Sequence, residues 1–379
     1  MKFTIERNLL LNKLNIVAHA LPVKSPMPVL TGIKIEVLED SITLVASNSD
    51  ISIRTKLGYE GLVIEETGVE IVPGKMFCDI IRTLNSKDVE IYTEGNSLRI
   101  KANKGSYKLN LMDNTSYPNI NFEVGDNPIK FNGVVFNELV KNVIFSASQN
   151  EKKPILTGVN FEYNEETNEL ITVATDSFRL SRMTAKIENV SQFNITIPNG
   201  SLNELLKCMD EKEDIEMFRM GSTVRFRFSD IDFVSRMLDA QYPNTSKLIT
   251  NDFTTEIEVN KTEILNCADR IMVLSPTGSE KEKEMTYNVI NLKQEDDNTA
   301  ILGISNNSVG TAKEEITIKT LKKSEEMLNI NFSGKYFIDG LKSFKSETVK
   351  IKFNGSVRPF IMEGENDKGL IQLILPVRM

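Results

Sequence analysis

The 379-residue chain has a single histidine and three cysteines. It also has no apolar run approaching the roughly 18 residues of a membrane-spanning helix. His19 lies beside Val17 and Ala18 with no cysteine or carboxylate at ligand spacing, so it reads as a packed or surface histidine rather than a metal ligand. One imidazole also removes most arrangements of a His-based triad. Cys78, Cys208 and Cys267 are far apart and form no CxxC pair, which argues against a disulfide framework or structural zinc and for a reducing compartment. Cys78 and Cys208 sit among apolar neighbours, where core packing is the expected role. No Walker-type or GxGxxG phosphate loop is present. No cofactor, metal or enzymatic activity is expected.

Positive charge is also in short supply: 45 Lys and Arg against 53 Asp and Glu leave a net charge of −8. Bulk charge therefore advertises no affinity for nucleic acid or an anionic membrane. The opening MKFTIERNLLL places Glu6, Arg7 and Asn8 where a secretory signal needs a continuous apolar stretch, and a cytoplasmic location is expected. Asn-x-Ser/Thr triplets such as Asn114 to Ser116 are then chance rather than glycosylation sites.

What the chain does have is repetition. PVLTGIKIE at 28–36 returns as PILTGVNFE at 154–162, and SYPN at 116–119 returns as QYPN at 241–244, so two landmarks report nearly one period. Each repeat opens with a short strand (Lys2–Ile5, Ile129–Phe131, Glu256–Val259) followed by apolar residues at helical spacing. In the second repeat these are Phe136, Leu139, Val140, Val143, Ile144 and Ala147, which predict a helix over 136–148. A second theme of strand, Pro or Gly break and helix follows at 70–84, 195–209 and 330–344, and alternating strands come after each. Each repeat is thus expected to hold two strand-helix-strand-strand-strand motifs. Polar turn residues gather at Asn119–Pro128 and Thr245–Asp252, giving domains of 1–122, 128–249 and 253–379.

Helices of such repeats pack on one face of the sheets. The six predicted helices carry 11 Lys and Arg against 7 Asp and Glu, a mildly basic layer in an acidic protein. Lys24, Lys152, Lys153, Lys281 and Lys283 just past the helices add to it, while Glu151, Glu280, Glu282 and Glu284 offset much of the gain. This layer suits sequence-independent contact with phosphate, or it is an ordinary solvated face. Asp176 in ATDSFRL reads as a turn former, since its counterpart near Asn48 is no carboxylate.

MKFTIERNLL, PVLTGIKIE, TVATDSFRLSR at 172–182, the QYPN turn and the terminal LILPVRM, in this order along the whole chain, resemble the bacterial DNA polymerase III beta subunit family, the sliding clamps. The resemblance implies an α+β fold of three tandem clamp domains, helices lining the inner face and sheets forming the outer wall of a dimeric ring around duplex DNA. It further implies a peptide cleft for the replicative polymerase, clamp loader and repair proteins, whose peptides carry Gln with spaced Leu and Phe. Carried over by motif, the cleft would use Leu156, Thr175, Ser177, Arg179, Leu180, Pro243, Leu248, Leu373, Ile374, Leu375, Pro376, Val377 and Arg378, with Val357 and Pro359 as additions. DNA contact would fall to Lys24, Gln149, Asn150, Lys152 and Lys153, with Lys75 and Arg82 further out, and Tyr107 and Leu109 would meet Val273 and Leu274 of a second copy. Ser177, Phe178 and Lys247 depart from many relatives, and Gly200 stands where a relative can carry a basic residue. Read without the resemblance, LILPVRM is a final core strand stopped by Pro376. A scaffold of the same fold that no longer encircles DNA is the alternative function.

Overall fold

The computed structural model describes residues 1–58, 60–188, 191–249, 252–275, 288–306 and 309–378. Lys281, Lys283 and the neighbouring Glu280, Glu282 and Glu284 lie outside the described residues, as does Met379. The chain falls into two compact units, Met1–Asn137 with Gly200–Met237, and Glu138–Asn199 with Leu238–Met379.

The repeated PxLTG block folds alike in both. Pro28–Thr31 and Pro154–Thr157 each form one 3-10 turn before the strands Gly32–Val37 and Gly158–Asn164. Proline presets the first φ, and the threonine hydroxyl donates back to the proline carbonyl at 2.7 Å in each copy. The glycine that follows is required by close approach: a Cβ on Gly32 would lie 2.6 Å from Ile71 Cγ2, and one on Gly158 2.7 Å from the Ile197 carbonyl oxygen.

The first unit holds two antiparallel sheets. One runs in the order Leu62–Glu66, Lys2–Glu6, Asp88–Glu94, Ser97–Ala102, Gly105–Asn110. The other is eight-stranded and joins Ile129–Phe131, Ile215–Met220, Thr223–Phe228 and Ile231–Arg236 of the second repeat to Ile51–Leu57, Ile42–Ser47, Gly32–Val37 and Gly68–Pro73 of the first. The helix Arg7–Ala18 buries Leu10, Leu14 and Val17 against strands Ile42–Ser47 and Ile51–Leu57. The two repeats meet where Ile231–Arg236 pairs with Ile51–Leu57, from Ile231 opposite Thr55 to Ser235 opposite Ile51. Charged side chains brace this seam. Asp232 takes Arg54 Nη2 at 2.6 Å and Arg227 Nε at 2.9 Å, and Asp230 takes Lys13 Nζ at 2.5 Å and the Thr55 hydroxyl at 2.8 Å. His19 Nδ1 meets Glu204 Oε2 at 2.7 Å. Partial burial pushes the Glu204 carboxyl up, but hydrogen bonds from Lys207 and His19 outweigh it and hold the group below its ordinary value.

The second unit holds one twelve-stranded antiparallel sheet, running from Phe193–Pro198 through Gly158–Asn164, Glu169–Thr175, Arg179–Lys186, Ile371–Ile374, Phe360–Gly364, Thr348–Phe353 and Thr255–Asn260 to Gly310–Lys322, Thr299–Asn306, Val289–Gln294 and Asn329–Ser333. Here the third repeat's last strand pairs with the second repeat, from Arg179 opposite Ile374 to Arg182 opposite Ile371. Under that seam lies a buried polar chain. Ser146 Oγ and Ser181 Oγ are 2.5 Å apart, Ser181 donates to Gln372 Oε1, and Gln372 Nε2 donates to the Asn142 carbonyl at 3.0 Å and Ser343 Oγ at 2.9 Å. Phe332, Phe337 and Phe360 pack with ring centroids 4.9–6.4 Å apart as the apolar centre beside it.

Two expectations need correction. The predicted 136–148 helix starts earlier and ends sooner, as Gly133–Lys141, followed by a separate 3-10 turn Ile144–Ser146. Its late carbonyls have other partners: Thr172 Oγ1 donates to the Leu139 carbonyl at 2.6 Å, and Gln372 takes that of Asn142. The first motif of the first repeat has four strands after its helix rather than three, because Leu62–Glu66 crosses to pair with Lys2–Glu6. All three cysteines are free and buried. Burial pushes the Cys78 thiol up to about 11 and those of Cys208 and Cys267 up to about 12, so none is a nucleophile near neutrality.

Candidate functional site

The residues assigned to the cleft all lie in the second unit, but at different depths. Leu156, Leu180 and Leu373 are buried together in one apolar cluster with Val173, Tyr242, Phe253 and Ile361, and Leu375 packs against it half-buried. Ile374, the next residue along the strand, is buried on the opposite side, as the two-residue period of a strand requires. What meets solvent is a rim: Leu248 is 49% exposed, Val357 60% and Phe178 40%, with Pro243 also exposed and Pro359 half-buried. Pro376 and Val377 run along the edge strand Asn329–Ser333, where Val377 N–H donates to the Asn331 carbonyl at 2.7 Å. Arg378 is exposed. Sequence reasoning used Tyr242 only as a landmark and passed over Phe253. The repeated YPN turn was the signal for the first, and nothing local marks the second.

A tight turn links this rim to the cluster. Asp176 Oδ1 accepts the N–H groups of Phe178 and Arg179 at 2.9 and 3.0 Å, and Asn48 repeats the device by accepting those of Asp50 and Ile51 at 3.1 and 2.9 Å. Thr175 anchors the turn from three sides. Its N–H donates to the Tyr242 hydroxyl at 3.1 Å, its Oγ1 donates to the Arg179 carbonyl at 2.6 Å, and that oxygen accepts Ser177 N–H at 3.2 Å. Burial pushes the Tyr242 phenol far above its ordinary value, so it serves as a neutral hydroxyl. The Phe178 carbonyl, in turn, accepts Leu375 N–H at 2.9 Å, which docks the C-terminal segment on the turn.

The seam in the first unit offers a different surface. A cleft of about 370 Å³ there is lined by Arg54, Lys56, Arg227, Asp230 and Asp232 among others, and its carboxylates are already paired. The seam in the second unit instead has a buried apolar cluster beneath it, with Leu156, Leu180 and Leu373 at its heart.

The residues assigned to DNA are all exposed: Lys24, Lys75 and Arg82 in the first unit, Gln149, Asn150, Lys152 and Lys153 in the second. Arg82 Nη1 is engaged with Asp79 at 2.7 Å, whereas Asn150 accepts the Lys152 N–H at 3.0 Å and shapes its loop. A side chain on Gly200 would meet nothing within 4 Å. Of the residues assigned to a subunit contact, Val273 is 79% and Tyr107 38% exposed, Leu109 is buried and Leu274 half-buried. Among the described residues no group of His, Cys, Asp and Glu could hold a metal, and no helix is long and apolar enough to cross a membrane.

Helix-backed sheets that continue from one repeat into the next, with an apolar cluster at one seam and exposed cations beyond the helices, define a tandem-repeat scaffold. Three consecutive stretches match the DNA polymerase III beta subunit: its N-terminal domain over residues 1–121, its central domain over 130–244 and its C-terminal domain over 246–378. The beta sliding clamp of Staphylococcus aureus is 34% identical over the whole of this chain and 99% of its own. The solved DNA polymerase sliding clamp of Bacillus subtilis is similar at a TM-score of 0.92 and 32% identity, covering 100% of this chain and 99% of that one. The solved DNA polymerase III beta chain of Streptococcus pneumoniae gives 0.92 and 31% with full coverage of both. The chain belongs to the DNA polymerase III beta subunit family and is a DNA sliding clamp.

Ser177 holds φ at 82°, a left-handed conformation that side chains with a Cβ resist. Replacement by glycine should raise thermal stability by about 0.5–1 kcal/mol, and by valine should lower it by more than that. Melting of the two variants beside the parent checks the sign of both.

Proposed function

We propose that two copies of this chain close into a ring around duplex DNA and tether the replicative polymerase. Clamp loader and repair proteins would compete for the same cleft through short peptides. The observation that carries this reading is a seam used twice within the chain. In each unit the last strand of one repeat (Ile231–Arg236, Ile371–Ile374) pairs antiparallel with the start of a strand in the preceding repeat (Ile51–Leu57, Arg179–Lys186). The first repeat's last strand, Gly105–Asn110, is an edge of its sheet. In the third repeat, Gly310–Lys322 is paired on one side along Gly310–Thr317, and its second partner begins only at Ile318. A third use of the same seam, between copies, would satisfy both of these edges, and twofold symmetry would repeat the pairing at the second junction. Tyr107 and Leu109 lie on the one edge. Val273 and Leu274 lie near the other, since Leu274 accepts Asn306 Nδ2 at 3.2 Å beside Gly310.

The domains are read as 1–122, 128–249 and 253–379, and the protein as a cytoplasmic, non-enzymatic processivity factor without cofactor. Exposed Lys24, Lys152 and Lys153 favour this over a scaffold that has given up DNA. The cleft would take one or two large apolar anchors of a partner peptide, each contributing about 1.5–3 kcal/mol before ordering costs, which gives the modest affinity that exchange requires.

The solution mass should be about twice 42.7 kDa, and Leu274→Asp should shift it toward one chain by burying an unpaired charge. A wild-type monomer at micromolar concentration rejects the ring. Neutralising Lys24, Lys152 and Lys153 together should weaken attraction to duplex DNA equally across sequences and flatten its salt dependence by about one counterion unit per lysine. An unchanged salt slope would show that these loops do not meet phosphate. Deleting Val377 to Met379 should abolish most binding of a Gln/Leu/Phe peptide while mass and DNA attraction stay as they were. Full-strength binding by the truncated protein would move the site elsewhere.

A further inference from the structure

Arg179 was assigned above to partner peptides, yet its side chain is only 11% exposed and its donors are engaged inside its own unit. Nε donates to Asp176 Oδ2 at 3.0 Å, Nη1 to Asp339 Oδ2 at 2.8 Å and Nη2 to the Phe145 carbonyl at 2.6 Å. The guanidinium also lies 4.3 Å from the centre of the Tyr336 ring. A guanidinium carries its N–H donors in a rigid planar fork, so three fixed directions and a covered face leave it one position.

We infer that Asp339 and Tyr336, on the helix Gly334–Ser343, are positioning residues for the peptide cleft, acting through Arg179 on the turn Thr175–Arg179. The inference rests on the cleft reading above. Arg179 belongs to the turn by its backbone: its N–H is held by Asp176, and its carbonyl accepts the Thr175 hydroxyl. Whatever fixes the guanidinium therefore fixes the residue just before it, Phe178, which supplies both an exposed ring on the rim and the carbonyl that docks Leu375. Asp176 is three positions away in the same turn and moves with it. Asp339 and Tyr336 stand on a separate helix whose Phe337 and Leu341 are fully buried, so they are the external reference. Without them the turn retains its internal hydrogen bonds but samples more arrangements, and a peptide must select the competent one.

The test uses the full-length protein and a synthetic Gln/Leu/Phe peptide, with affinity measured by calorimetry and with thermal midpoint and solution mass recorded for each variant. Asp339→Asn should weaken the peptide by about fivefold or more at unchanged mass, and Asp339→Glu should recover most of the loss. Tyr336→Leu, which removes the ring face, should weaken it. On an Arg179→Gln background, Asp339→Asn should have no further effect, because both act through one group. Parent-like affinity in Asp339→Asn and Tyr336→Leu overturns the inference. So do additive losses from Arg179→Gln and Asp339→Asn, which would make Arg179 a direct peptide contact. If Asp339→Asn lowers the melting midpoint markedly, Tyr336→Leu and the Arg179→Gln background decide. A parent protein that does not bind the peptide at all overturns the cleft reading itself, and this inference with it.

Discussion

Antiparallel pairing between the last strand of one repeat and an early strand of its neighbour is the constraint on which the rest of this structure depends. A repeat that ended at its own sheet edge would expose a row of unpaired N–H and C=O groups. Pairing across the seam satisfies that row and fixes the register of neighbouring repeats through backbone geometry, since a one-residue slip would turn every side chain to the other face. Gln372, on the second seam strand, is a buried polar residue whose partners Ser181 and the Asn142 carbonyl lie in the preceding repeat, so a slip would leave it unpaired.

The two seams share this backbone plan and differ in what fills them. Around Asp230 and Asp232 the first is braced by ion pairs, and Asp232 is only 16% exposed. Its charges occupy the surface on which a partner could lie. The second has in addition a neutral polar chain beneath it, formed by Ser146, Ser181, Gln372 and Ser343. Above them Arg179, opposite Ile374 on the seam, is braced by Asp176 and Asp339.

Much of this was legible in the sequence because it is local. The PxLTG block marked two equivalent places in the chain by repetition alone, and the alternation of the first strands and the period of the first helices needed no tertiary information. Where the reading failed, the cause lay far along the chain. The helix predicted over 136–148 stops because side chains from Thr172 and Gln372 take its carbonyls. LILPV reads as one apolar stretch, yet Leu373 belongs to the buried cluster with Leu156 and Leu180, and Ile374 to the other side of the sheet. Period two separates them only once one is placed. Arg179 carries the motif of a contact residue, but its partner Asp339 is 160 positions away.

The electrostatic arrangement answers a different demand. A net charge of −8 does not favour duplex DNA, so on the proposed reading attraction comes from local groups in the loops, where exposed lysines would supply it weakly and without base preference. A protein held by topology has no need of tight phosphate contact, and each strong ion pair would oppose translation along the duplex. Arginine with a fixed carboxylate partner, as Arg82 has in Asp79, presents less free charge than an unencumbered lysine on a mobile stem. The strong, bidentate-capable cations Arg54, Arg179 and Arg227 are instead engaged within the protein as structural braces. Rigid seams built on arginine and carboxylate, and loose surfaces built on lysine, let one chain be stiff as a scaffold and permissive as a track follower.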